Sequence, residues 1–88
     1  MSINGRTRSG FDFSIDERVL DDMELLEAAV QARKGDRSAE IEMIQRLLGT
    51  EQKKALYDHL RVDGRVSKAA VGAALVDIFQ AIDPAKKS

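Results

Sequence analysis

Three glycines cut this chain into helix-length pieces: Gly35 in Lys34-Gly35-Asp36, Gly49 in Leu48-Gly49-Thr50, and Gly64 in Asp63-Gly64-Arg65. Each closes a stretch with helical apolar spacing, and Asp36, Thr50 or Ser67 then offers a side-chain oxygen to the orphan N–H groups of a new helix. The punctuation predicts an all-α fold, a small irregular bundle of about four short helices. The first runs from about Asp21 to Lys34, with Met23, Leu26 and Val30, joined by Leu25 and Ala29, as its inward stripe. The second starts at Asp36 or Ser38 and turns Ile41, Ile44, Leu47 and Leu48 inward. Thr50 opens the third, which carries Leu56, Tyr57 and Leu60, and Ser67 opens the fourth, which carries Val71, Ala74, Leu75, Ile78, Phe79 and Ile82. Asp83-Pro84 stops the fourth, because a residue before proline avoids helical geometry. Helices of this length are marginal alone in water, so the stripes must pack on one another.

Ahead of the helices, residues 1–10 are rich in Ser, Gly, Asn and Arg and read as a mobile N-terminal tail. Phe11, Phe13 and Ile15 then alternate with Asp12, Ser14 and Asp16, the period of an extended segment. Without a ladder partner in view, this segment is expected to be an extended N-terminal arm that packs on the helices or pairs with another chain. The expected organisation is tail 1–10, helical domain 11–83 and basic C-terminal stub 84–88.

An 88-residue chain supports one domain. It has no cysteine, which removes disulfides and thiolate metal sites. No apolar run approaches the ~20 residues needed to cross a bilayer, and the arginines of the first ten residues precede no apolar core of a secretory signal. A cytoplasmic protein without membrane attachment is expected. The net charge of -1 gives no general pull toward nucleic acid, but the charge is unevenly spread. Residues 11–30 hold seven acids and one base, while residues 31–68 hold nine bases and six acids. Helix-dipole complementarity accounts for such a pattern, as does an acidic face that meets a basic partner.

Chemical motifs fall away on inspection. With Gly64 in the sixth position of a calcium loop, His59, Arg61 and Ala70 occupy places that need carboxylates, so no calcium site is expected. His59 is the one histidine and has no cysteine, second histidine or serine at a telling spacing. Asp21 and Asp22 are adjacent and point apart on a helix. No glycine cluster precedes a Lys-Ser or Lys-Thr pair. An enzyme is not expected, nor a metal, a cofactor or a catalytic residue. The alternative is a small helix-turn-helix DNA-binding regulator, with the Val62–Val66 turn leading into a recognition helix. That helix would offer the duplex Lys68 and, at its far end, Gln80 among small residues, a poor set for phosphates and base edges.

Phe11-Asp12-Phe13, the run Val19 to Glu27, Lys34-Gly35-Asp36, Leu47 to Gln52, Tyr57-Asp58-His59-Leu60 and Asp63-Gly64-Arg65-Val66 together resemble small tail assembly chaperones of long-tailed (siphovirus-type) bacteriophages and prophages. The resemblance covers about residues 11–82 and rests on turn and helix punctuation. It implies a non-enzymatic protein of the bacterial host cytoplasm that binds the tape measure protein, keeps it soluble during tail morphogenesis and is absent from the mature virion. Further partners implied are the tail-tube protein, a frameshifted longer form of this chain (for which Lys86-Lys87 would mark a slippery codon run) and a second copy in a homo-oligomer. Apolar groups surplus to one small core are the candidate partner-binding residues: Phe11, Phe13 and Ile15 on the arm, and Val71, Leu75 and Phe79 on the last helix.

Overall fold

The computed structural model describes residues 2–82. Its elements are β1 (Ser2–Arg6), β2 (Asp12–Asp16), a 3-10 turn (Glu17–Asp21), α1 (Met23–Arg33), α2 (Arg37–Leu60), a short hairpin of β3 (Arg61–Val62) and β4 (Arg65–Val66), and α3 (Lys68–Ile82). The fold is mostly helical, with three helices and two small antiparallel strand pairs, where four helices and no sheet were expected. Asp83 with its proline, and the stub 84–88, lie outside the described residues.

The fourth expected helix is missing because α2 runs through Gly49, which nevertheless breaks it. At φ 80 and ψ 168, Gly49 occupies a region that residues with a Cβ hardly enter. Two limbs result, 37–48 and 50–60. The Asp63-Gly64 pair, both with positive φ (53 and 80), forms the tight turn between β3 and β4, as Asp-Gly does in two-residue hairpins. Asp36 and Ser67 cap α2 and α3, accepting from the N–H groups of Ala39 and Ala70.

The first ten residues correct the expected tail. Ser2–Arg6 pairs antiparallel with Asp12–Asp16, with Ile3 opposite Ile15 and Gly5 opposite Phe13, so the arm is one half of a hairpin. Gly5 is needed there: a Cβ at that position would lie 2.7 Å from Cζ of Phe13. The turn is closed by Thr7, whose N–H donates to the carbonyl of Phe11 and whose Oγ1 accepts from the Phe11 N–H. The Arg8 N–H and Nε, each 2.9 Å from the Asp77 carboxylate, tie the turn to α3. On the other side, Gln52 seals the free edge of β2. Its Oε1 accepts from the Ser14 N–H at 2.8 Å and its Nε2 donates to the Ser14 carbonyl at 2.7 Å, as a third strand would.

The largest fully buried side chains are Ile15, Ile44, Leu56 and Ile78, drawn in turn from β2, the two limbs of α2 and α3. Phe11, Phe13, Leu47, Leu48 and Leu75 complete the same cluster. The arm residues are therefore core of their own chain. Phe13, 4% exposed, is expected to act on stability: Phe13→Ala lowers the unfolding free energy by about 3–5 kcal/mol in urea titration. In the same assay Gly49→Ala costs about 1–3 kcal/mol, because alanine must hold a glycine conformation or straighten α2.

Candidate partner groove

The position of α1 follows from a few polar contacts at its start. Asp22 caps it, accepting from the N–H groups of Glu24 (2.8 Å) and Leu25 (3.4 Å). The second Asp22 oxygen meets Arg46 of α2 at 3.0 Å, and the same guanidinium reaches Glu24 at 3.3 Å and Glu42 at 3.0 Å. Held this way, α1 turns Leu25 and Ala28 into the core.

Of the expected inward stripe, Leu25 is buried and Ala29 packs against the core. Met23, Leu26 and Val30, predicted to face inward, are 66%, 56% and 43% exposed. The spacing fits either side of the helix, since Leu25, Ala28 and Ala32 also recur at helical intervals. A helix with apolar residues on both its buried and its solvent side signals a surface awaiting cover.

Beside that stripe lies a groove. α1 and α3 both lean on α2 and scarcely touch each other, which leaves an open cleft of about 410 Å³ between them. Ala29 and Ala32 form one wall, Gly72, Val76 and Phe79 the other, and Met43 lies at the floor. Val76 is half exposed. Leu26 and Val30 stand within one helical turn of Ala29 and Arg33 but do not line the groove. Arg33, Glu40 and Gln80 supply the polar rim. On the far side of Glu40, a smaller depression of about 270 Å³ is lined by the half-exposed Ile41 together with Tyr57, Val66 and Val71, with Arg37 and Lys68 at its edge.

Of the six partner-binding candidates, Phe11, Phe13, Ile15, Val71 and Leu75 are buried in the core. Only Phe79 and the flank of Leu75 reach the groove. The groove-lining Val76 and the exposed Met23, Leu26 and Val30 were not among the candidates; for the last three the signal was the excess of apolar positions around α1. His59 donates from Nε2 to the carbonyl of Ser9 at 2.9 Å, with its ring tilted against Phe11; it steadies the β1–β2 turn. Among the described residues, no group of three or more His, Asp or Glu side chains is placed to hold a metal ion. No described helix is long and apolar enough to cross a membrane.

The three aspartates that cap helical elements titrate below their ordinary range, as does Asp12 beside Arg6. Asp16, held by the Arg18 side chain and backbone N–H, is lowered to about 2. Asp36 is lowered by the N–H of Ala39 and the hydroxyl of Ser38. At Asp22, desolvation pushes upward but is outweighed by the N–H groups of Glu24 and Leu25 and by Arg46, so the net shift is downward. A carboxylate with a depressed folded-state pKa stabilises the fold above its unfolded value and loses that contribution as pH falls through the folded one. Unfolding free energy is therefore expected to be level from pH 7 to about 4.5 and to fall between about pH 4 and 2. Asp22→Ala removes part of that slope and about 1 kcal/mol at neutral pH, measured by urea titration across pH.

No protein-family model, curated protein or solved structure matches this chain.

Proposed function

We propose that this protein is a tail assembly chaperone of a long-tailed phage or prophage, a binding protein without catalysis that covers apolar helical surface on the tape measure protein until tail-tube subunits replace it. The observation that carries the reading is the open apolar groove between α1 and α3, together with the exposed Met23, Leu26 and Val30 elsewhere on α1. A tape measure presents apolar helix over a great length, and grooves of this kind take amphipathic helices. Many copies, each with a modest contact, would give a coat that is firm in sum and released piecemeal. α3 favours this over DNA binding: Val71, Ala74, Leu75 and Ile78 are in the core, and Ala69, Ala73, Val76 and Gln80 are exposed, with Lys68 as its only basic residue.

The test is co-production with the long, coiled-coil-rich product of a neighbouring gene, with nuclease in the lysate. That product is expected to become soluble and co-purify with the wild-type chain, and to precipitate when Met23→Glu and Leu26→Glu are combined. Both positions are exposed, so the double variant is expected to melt within a few degrees of wild type. Capture that needs DNA and disappears with nuclease would replace the chaperone by the regulator.

A further inference from the structure

We infer that copies of this chain dock head to tail, the acidic, apolar ridge at the start of α1 on one copy seating in the basic-rimmed depression at the start of α2 on the next. The inference is drawn from two surfaces of this chain and does not rest on the chaperone reading.

The ridge runs over the 3-10 turn and the first turns of α1. Leu20, Met23 and Leu26 are 42%, 66% and 56% exposed. Glu17, Asp21 and Glu27 are spaced among them and form no ion pair among the described residues. The neighbouring acids Asp16, Asp22 and Glu24 are instead held by Arg18 and Arg46. Met23, Leu26, Glu27 and Val30 follow the i, i+3, i+4, i+7 spacing of one helix face. Glu27 therefore stands at the edge of the ridge as well as on the flank that carries Asp36 and Glu42.

The depression has the opposite chemistry. The half-exposed Ile41, with Ile44, Tyr57, Val66 and Val71, gives it an apolar floor, and Arg37 and Lys68 stand at its edge. A third cation, Lys53, has its Nζ 5.7 Å from the centre of the Tyr57 ring. Glu40 is the one acid among the lining residues, and none of the three cations has an ion-pair partner among the described residues. Helix dipoles do not account for them. Arg37 and Lys68 are the first residues of α2 and α3, where a cation opposes the dipole. At about 270 Å³, the depression is smaller than most small-molecule sites, which run ~300–1,000 Å³, and suits a few side-chain knobs.

The two surfaces cannot meet within one chain. Arg46 pins the start of α1 and lies about 13 Å along α2 from Arg37, so ridge and depression sit at opposite ends of the α1–α2 pair. The match is therefore one between copies. Because the two patches differ, the contact is heterologous, and a docked pair still offers one free ridge and one free depression. The groove between α1 and α3 shares only Glu40 with this contact, so a row of copies presents its grooves in succession.

Sedimentation velocity on the full chain provides the test. In low salt the wild-type sedimentation coefficient is expected to rise with concentration, with a Kd of roughly micromolar to millimolar for so small a contact. Salt at about 0.5 M is expected to weaken the association about tenfold. Two variants are expected to stay monomeric where the wild type associates: Arg37→Glu with Lys68→Glu, which spoils the depression, and Met23→Glu with Leu26→Glu, which spoils the ridge. All four positions are exposed, and acids suit the first turns of α2 and α3, so both variants are expected to melt within a few degrees of wild type. Mixed in equal amounts, they are expected to form a 1:1 pair and nothing larger, since one supplies an intact ridge and the other an intact depression. Asp21→Lys with Glu27→Lys, which leaves every apolar ridge residue in place, is expected to weaken self-association at least about tenfold.

A wild-type chain that stays monomeric in low salt, variants that associate as the wild type does, or a mixture that stays monomeric or grows beyond a pair would overturn the inference. A monomeric wild type that still keeps the tape measure soluble overturns the self-docking alone. A self-associating chain that leaves the tape measure insoluble overturns the chaperone reading alone.

Discussion

Ile15, Ile44, Leu56 and Ile78 meet where water is excluded, and each comes from a different part of the chain. Their contact requires α2 to pass the centre twice at two angles, which the Gly49 break allows. It also requires the β1–β2 hairpin to lie across that bend, where Gln52, three residues past the break, bonds Ser14 and the Leu48 carbonyl together. Hairpin, bend and α3 therefore form one unit, stitched at its periphery by Arg8 to Asp77. Burial of branched aliphatic side chains, each worth about 1.5–3 kcal/mol, is the main term holding it.

α1 stands in a different relation to this centre. It contributes Leu25 and Ala28 but none of the largest fully buried groups, and it keeps Met23, Leu26 and Val30 in water. A helix of eleven residues with so small a buried face depends on its packing against α2. That arrangement is wasteful for a monomer and sensible for a protein whose α1 wall is completed by something else.

Much of this fold was legible in the residues. Glycines at 35, 49 and 64 mark real breaks, and Asp36 and Ser67 cap the helices assigned to them. What could not be read was which way α1 faces. Two stripes share its period, and the one that carries Leu25 and Ala28 is the buried one. The N-terminal hairpin was hidden for a related reason. Ser2–Arg6 has weak strand propensity and only the partly buried Ile3 as an apolar anchor, so its order depends on Phe13 beneath Gly5 and on the stitches from Thr7 and Arg8. The candidate site was misplaced as a consequence. Aromatic residues set in an alternating run looked available, whereas the core needed them and released smaller, less conspicuous groups on α1.

The Arg46 cluster carries a further implication. One guanidinium, about a third exposed, holds Asp22, Glu24 and Glu42 and so fixes the start of α1 on α2. Attraction of this kind weakens with ionic strength, since mobile ions screen partly exposed charges over ~8–10 Å, while aliphatic burial does not weaken in the same way. Added salt would therefore loosen one wall of the cleft and leave the centre intact. Cleft width and global stability are thus governed by different forces, and the molecule can yield at its α1 wall without unfolding.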